Sequence, residues 1–174
     1  LLAWQEPAVV IANAEEVTQY VVSPHYLKGQ SLHFALNDAI ERDVALEQLV
    51  TIGYERVDQV EQRGHFAVRG DILDIYPVNS DHPIRIEFFG DEIDTLRFFS
   101  VENQRSIEQI ESYTVTPFFL GQSDADSTLL SYVKDGTLIY DEPGRIQEAL
   151  KKFLKEDPTH RKNHCDWNEL QRTV

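Results

Sequence analysis

The sequence predicts an α+β fold, a central antiparallel sheet with a helix, flanked on both sides by partial α/β segments. Three features carry that expectation. Between Val57 and Phe98, apolar residues fall largely into short alternating stretches, as strands with one buried face require. Turn-forming sequences separate those stretches: Arg63-Gly64, Asn79-Ser80-Asp81 and Gly90-Asp91. Near each end a short apolar run precedes a helix-starting pattern, which is α/β grammar.

In chain order, Ala8-Val9-Val10-Ile11-Ala12 reads as a buried-type strand, and Asn13 with Glu16 resembles a capping box that starts a helix from Ala14 to about Val21. Ser23-Pro24 ends that helix, because the residue before proline is pushed out of the α region. A chain opening on such a strand lacks the strands it would lie beside and reads as part of a larger domain. Ser31 to Leu36 forms a strand. Asp43 is the expected N-cap of a helix carrying Leu46, Leu49 and Val50 on one side and closed by Gly53. A meander follows, with Gly90-Asp91 as a two-residue hairpin turn in which Gly supplies positive φ. Its segments leave no room for the crossovers that parallel neighbours need. A further strand, Ile107 to Thr116, ends at Pro117. A polar linker through Gly121 and Asp124 leads to Leu129-Leu130 and a second buried-type strand, Thr137 to Asp141. The last expected helix bears Ile146, Ala149, Leu150, Phe153 and Leu154, with Pro143 near its first turn. The organisation expected is a partial α/β domain over 1–30, an inserted α+β module over 31–117, and a return to the α/β domain over 118–174.

Composition narrows the function. A net charge of −14 disfavours autonomous DNA binding, which rests on Lys and Arg neutralising phosphates. No apolar run is long enough to cross a bilayer and no charged leader precedes one, so neither membrane nor export is expected. The single cysteine, Cys165, fits a reducing cytoplasm. Charge is unevenly spread: Thr51 to Phe118 holds six arginines and no lysine. Arg is enriched at protein interfaces where Lys is depleted, although solvated strand edges would also accommodate such a set.

Catalytic readings find little support. Leu138-Ile139-Tyr140-Asp141-Glu142 looks like an apolar strand ending in paired acids, but no G-x-x-x-x-G-K-[ST] loop supplies the phosphate cradle. His160, His164, Cys165 and Asp166 invite a metal reading, yet the neighbourhood is polar and no second ligand cluster is near in sequence. With no nucleophile motif either, the expectation is no catalytic residue, no metal and no cofactor. A partner-binding reading rests on Ile84-Arg85-Ile86-Glu87-Phe88-Phe89. Strand alternation puts Arg85 and Phe89 on one face, Ile86 and Phe88 on the other. Arg85 and Phe89 form either an anchor patch or a core-facing Phe89 with Arg85 snorkelling at the edge.

Two longer motifs go further. Gly53-Tyr54-Glu55-Arg56-Val57-Asp58-Gln59-Val60 with Gly64-His65-Phe66-Ala67-Val68-Arg69-Gly70-Asp71-Ile72-Leu73-Asp74-Ile75-Tyr76-Pro77, and then Arg85 to Ile93, resemble a signature shared by UvrB and the bacterial transcription-repair coupling factors (Mfd). Ala67 stands where UvrB typically has another arginine. Phe98-Phe99, Gln104-Arg105-Ser106-Ile107 and Asp141-Glu142-Pro143 look like the coupling-factor version. The resemblance implies a UvrB-domain-2-like module between degenerate helicase-like segments, without an ATPase site of its own. Its implied partner is UvrA, bound through Arg69, Arg85 and Phe89. RNA polymerase, DNA and ATP-driven translocation would belong to other parts of a parent protein. The alternative is a piece of UvrB, a DNA-binding helicase-like ATPase.

Overall fold

The structure is a computed structural model, describing residues 9–118, 125–133 and 136–172. Its elements begin with α1 (Ala14–Thr18), β1 (Val21–Val22), α2 (Pro24–Gln30), β2 (Leu32–Ala35), α3 (Arg42–Thr51), β3 (Glu55–Arg56), β4 (His65–Arg69) and β5 (Ile72–Ile75). They continue with β6 (Ile84–Phe89), β7 (Glu92–Phe99), β8 (Ser106–Gln109), β9 (Ser112–Val115), β10 (Ala125–Ser127), α4 (Pro143–Glu156), α5 (Pro158–Asn163) and α6 (Trp167–Arg172). The chain divides into two compact units. One comprises Leu1–Tyr26 with Gly121–Val174, the other Leu27–Leu120.

The second unit is built on a six-stranded sheet of order β3-β4-β5-β6-β7-β8. From β4 to β8 every neighbour is antiparallel, so the expected meander is present. The edge strand β3 differs, pairing parallel with β4 over two residues. So brief a pairing is reached by the loop 57–64 without a crossover helix. One face of the sheet carries Phe66, Leu73, Ile75, Ile84, Ile86, Ile93 and Leu96, all at most 1% exposed. Helix α3 contributes Ala45 and Leu49 to the same core, with Phe34 and Val115 from the β2–β9 pair. Tyr54 is buried there too. Its hydroxyl donates to the Thr116 carbonyl and accepts from the Val78 amide, and burial pushes its pKa up to about 12.

Several boundaries depart from expectation. Glu41, not Asp43, is the N-cap of α3, and Asp43 lies in the first turn, where an acid complements the helix dipole. Val50 is 59% exposed, so the buried stripe runs through Ala45, Leu49 and Ile52 instead. Ser23-Pro24 does not end α1. That helix has already stopped at Thr18, where the following backbone turns aside to bond with the segment around Asn163 and His164. Ser23-Pro24 opens α2: proline occupies its first position and Ser23 Oγ accepts from the Tyr26 amide. The Ile107–Thr116 strand is two strands. The Ile110 amide bonds Leu96 on the large sheet, Glu111 then accepts from Leu36, and β9 runs on beside β2.

In the first unit the capping box of α1 is formed, with reciprocal bonds between Asn13 and Glu16. β1 pairs with β10, and α4 buries Leu150 beside a stacked Phe153–His160 pair. Two expected strands are not formed. Residues 9–13 and 136–140 carry no ladder partner among the described residues, and Ile11 and Ile139 are 92% and 83% exposed. A β-branched run becomes a strand only where a neighbour satisfies its backbone groups. On α4, Ala149 faces solvent. Ala8 and the linker residues 121–124 lie outside the described residues.

Candidate functional site

The second face of the large sheet is turned away from the core that α3 covers, and the register sets its chemistry. One rung runs Ala67, Asp74, Arg85, Arg97 and Gln109, and the next runs Arg69, Ile72, Glu87 and Thr95. Alternation along β6 places Arg85, Glu87 and Phe89 on this face, opposite the buried Ile84, Ile86 and Phe88. A bulge in β7 opposite Glu87 and Phe88 lets Ile93 and Leu96 both face the core. Gly90, at φ +67°, closes the hairpin just beyond Phe89.

All three residues singled out from the sequence therefore share one face. Arg69 lies two strands from β6, roughly 10 Å across the sheet, one rung above Arg85 and one below Phe89. Their surroundings differ. Phe89 is 83% exposed, so its ring does not face the core. Arg69 is exposed and donates to the Asp58 carbonyl at 3.0 Å, with no carboxylate at ion-pair distance among the described residues. The Arg85 side chain is 14% exposed and holds Asp74 through two bonds of 2.6 and 2.7 Å. A third bond reaches Gln104 at 3.0 Å, and the guanidinium lies over the Phe99 ring.

Arg85 sits directly opposite Arg97, a like-charge pair that would be unfavourable alone. Flanking carboxylates relieve it. Asp74 serves Arg85, and Glu87 accepts from both Arg97 and Thr95. The Asp74 bonds hold the Arg85 guanidinium above its ordinary pKa, with burial opposing. The Arg97 bond chiefly holds Glu87 below the usual carboxylate range. Sequence reasoning missed Asp74, Phe99 and Gln104 as parts of this face. Asp74 had a signal: a lone acid inside Ile72-Leu73-Asp74-Ile75 must be paired if it is buried, and it is 3% exposed.

The other candidates have local partners of their own. Asp141 and Glu142 are exposed, Glu142 caps α4 at φ +51° and pairs with Arg145. His160 Nδ1 donates to the Phe153 carbonyl and His164 Nδ1 to that of His160. Cys165 is buried, and burial pushes its thiol up to about 11, away from the reactive thiolate. Among the described residues no group of three or more His, Cys, Asp or Glu is placed to hold a metal, and no helix is long and apolar enough to cross a membrane.

Residues 32–119 match the family described as the UvrB interaction domain. The chain belongs to that family. The matched stretch contains the whole arginine-bearing face of this UvrB interaction domain. Among curated proteins the chain is 37% identical to the transcription-repair-coupling factor of Escherichia coli K12 over 116 residues, 67% of this chain and 10% of that protein. It is 41% identical to the same-named factor of Mycobacterium tuberculosis over 110 residues, 63% of this chain and 9% of that one. UvrABC system protein B of Methanobrevibacter smithii follows at 32% over 124 residues, covering 70% of this chain and 19% of that protein. The chain thus spans about a tenth of the length of the coupling factors it resembles, and the coupling-factor and UvrB signature read from the sequence is the one the comparisons return.

Proposed function

We propose that this UvrB interaction domain is a non-catalytic docking module for UvrA within a transcription-repair coupling factor, bringing nucleotide excision repair to a stalled RNA polymerase. RNA polymerase, DNA and ATP-driven translocation are assigned to parts of the parent protein beyond these residues. The observation that carries the reading is Phe89: a large aromatic, 83% exposed at the β6–β7 hairpin, on the same sheet face as Arg69 and Arg85. Aromatic and Arg anchors of this kind dominate binding energy at protein interfaces. The abundance of acid elsewhere, within a net charge of −14, suits a protein partner better than a phosphate backbone.

Titrating the chain into purified UvrA tests this. A saturable complex that weakens with salt, together with no ATP hydrolysis by the chain alone, is the expected result. The similarity to UvrABC system protein B supports a second reading, a piece of a DNA-binding ATPase. Intrinsic ATPase activity or salt-sensitive DNA binding in place of UvrA binding would establish it.

A further inference from the structure

Arg85 is placed as an anchor, yet most of its donors are already engaged. Nε and Nη2 donate to the two oxygens of Asp74, and Nη2 donates again to Gln104 Oε1. Of the five guanidinium N–H groups, this leaves the two on Nη1 without an acceptor among the described residues. The plane itself is fixed from below by Phe99, whose ring centroid is 4.4 Å from Cζ.

Gln104 comes from the turn between β7 and β8 and is held in an unusual state. Its φ is +60°, a left-handed conformation that a non-glycine residue keeps only where its surroundings over-determine it. Here they do. Its amide donates to Ser100, its Nε2 to the Val101 carbonyl, and Ser100 in turn donates to Arg105. Satisfied on the turn side, the side chain has its Oε1 directed at Arg85.

We propose that Gln104 is a positioning residue for UvrA recognition: with Asp74 and Phe99 it fixes the Arg85 guanidinium so that only Nη1 is offered, selecting one neutral acceptor, such as a main-chain carbonyl, over a bidentate carboxylate. This rests on the UvrA-docking reading above. Asp74 already neutralises Arg85, so a second carboxylate gains little there. Arg69, without a carboxylate partner among the described residues, is the cation left to meet an acidic group. The partner patch that fits presents a neutral acceptor to Arg85, a carboxylate to Arg69 and an apolar pocket to Phe89.

The test is a titration of the full chain with UvrA over a salt series, using Gln104→Gly. Glycine adopts φ +60° without strain, so the main chain of the turn is not penalised while the side-chain bonds to Arg85 and Val101 are lost, and the Arg85→Ala background separates the two. Affinity should fall about tenfold, the scale of one lost hydrogen bond to a charged group, with the salt slope unchanged. Arg69→Ala should flatten that slope. In an Arg85→Ala background, Gln104→Gly should have no further effect. Wild-type affinity in Gln104→Gly, additive losses in the double variant, or a slope flattened as much by Arg85→Ala as by Arg69→Ala each overturn the proposal. A wild-type chain that does not bind UvrA overturns the docking function and the partner assignment with it. Arginine-side-chain NMR on the free chain reads the positioning separately. The Arg85 Nη2–H that Gln104 Oε1 accepts should be protected from exchange in the wild type and lose protection in Gln104→Gly, and unchanged protection would show that Gln104 does not hold Arg85.

Discussion

At the scale of single residues, the outward sheet face separates groups whose loss costs binding from groups whose loss costs stability. Phe89 is 83% exposed, so Phe89→Ala should leave the melting temperature nearly unchanged. On the proposed function it should weaken UvrA binding by roughly 2 kcal/mol or more, readable by calorimetry. A drop in stability of about 3–5 kcal/mol, typical of a buried Phe, would show instead that the ring packs inward. Asp74→Ala belongs to the other class. It strands a guanidinium that is 14% exposed, and breaking so enclosed a pair costs about 3–5 kcal/mol, measurable by urea unfolding. Arg97→Ala, whose guanidinium is occupied by Glu87 and Thr95, should affect UvrA binding less than the three anchors do. Glu87 also gives a pH signature. Its folded-state pKa lies below its ordinary value of 4.5, so it stabilises the fold above that value and the contribution disappears as pH falls through the lower, folded-state value. Thermal melts between about pH 6 and pH 3 should show a shallower acid loss in Glu87→Gln. Parallel curves would mean that Glu87 gains nothing from Arg97.

At the scale of elements, glycines and tethers fix where strands can turn. Gly64 has φ +90°, and an added Cβ would lie 2.6 Å from ring atoms of Phe118. Phe118 is itself tied by its amide to the Ile52 carbonyl and packs edge-on against Tyr54. Gly64→Ala should therefore destabilise the unit by about 1–3 kcal/mol through backbone strain and the displaced ring. A denaturation midpoint within error of wild type would refute that account. The capping box at Asn13, the strand after Ser31 and the Gly90-Asp91 hairpin were all legible because each is a local signal, carried by residues within a few positions of one another. The split of Ile107–Thr116 into β8 and β9 was not. It depends on Leu96 in β7 and on Leu36 just beyond the end of β2, which bond successive positions of one continuous stretch of chain.

At the scale of the molecule, Leu27–Leu120 forms a compact unit with its own core, and the family match falls within it. We expect residues 27–120 produced alone to unfold in one cooperative transition and, on the proposed function, to bind UvrA as the full chain does. A non-cooperative melt would place part of that core's support in the other residues. The sequence by itself determined the fold class, the antiparallel central sheet and, through its long motifs, the family, because period-two patterning and turn chemistry are local and the motifs extend over many positions. It also put Arg85 and Phe89 on one face, since side chains two or four apart on a strand must share it. Only the tertiary structure decided which of those groups stay accessible. Phe89 lies open, Arg69 is left without a carboxylate partner among the described residues, and Arg85 is enclosed by Asp74, Phe99 and Gln104. Those partners come from β5, β7 and the turn beyond it, and their meeting depends on strand register, a long-range quantity that no single stretch of sequence encodes. The same reason explains the runs at 9–12 and 137–140, which have strand composition but, among the described residues, no neighbour to pair with: composition gives a segment the capacity to be a strand, and a partner's backbone makes it one.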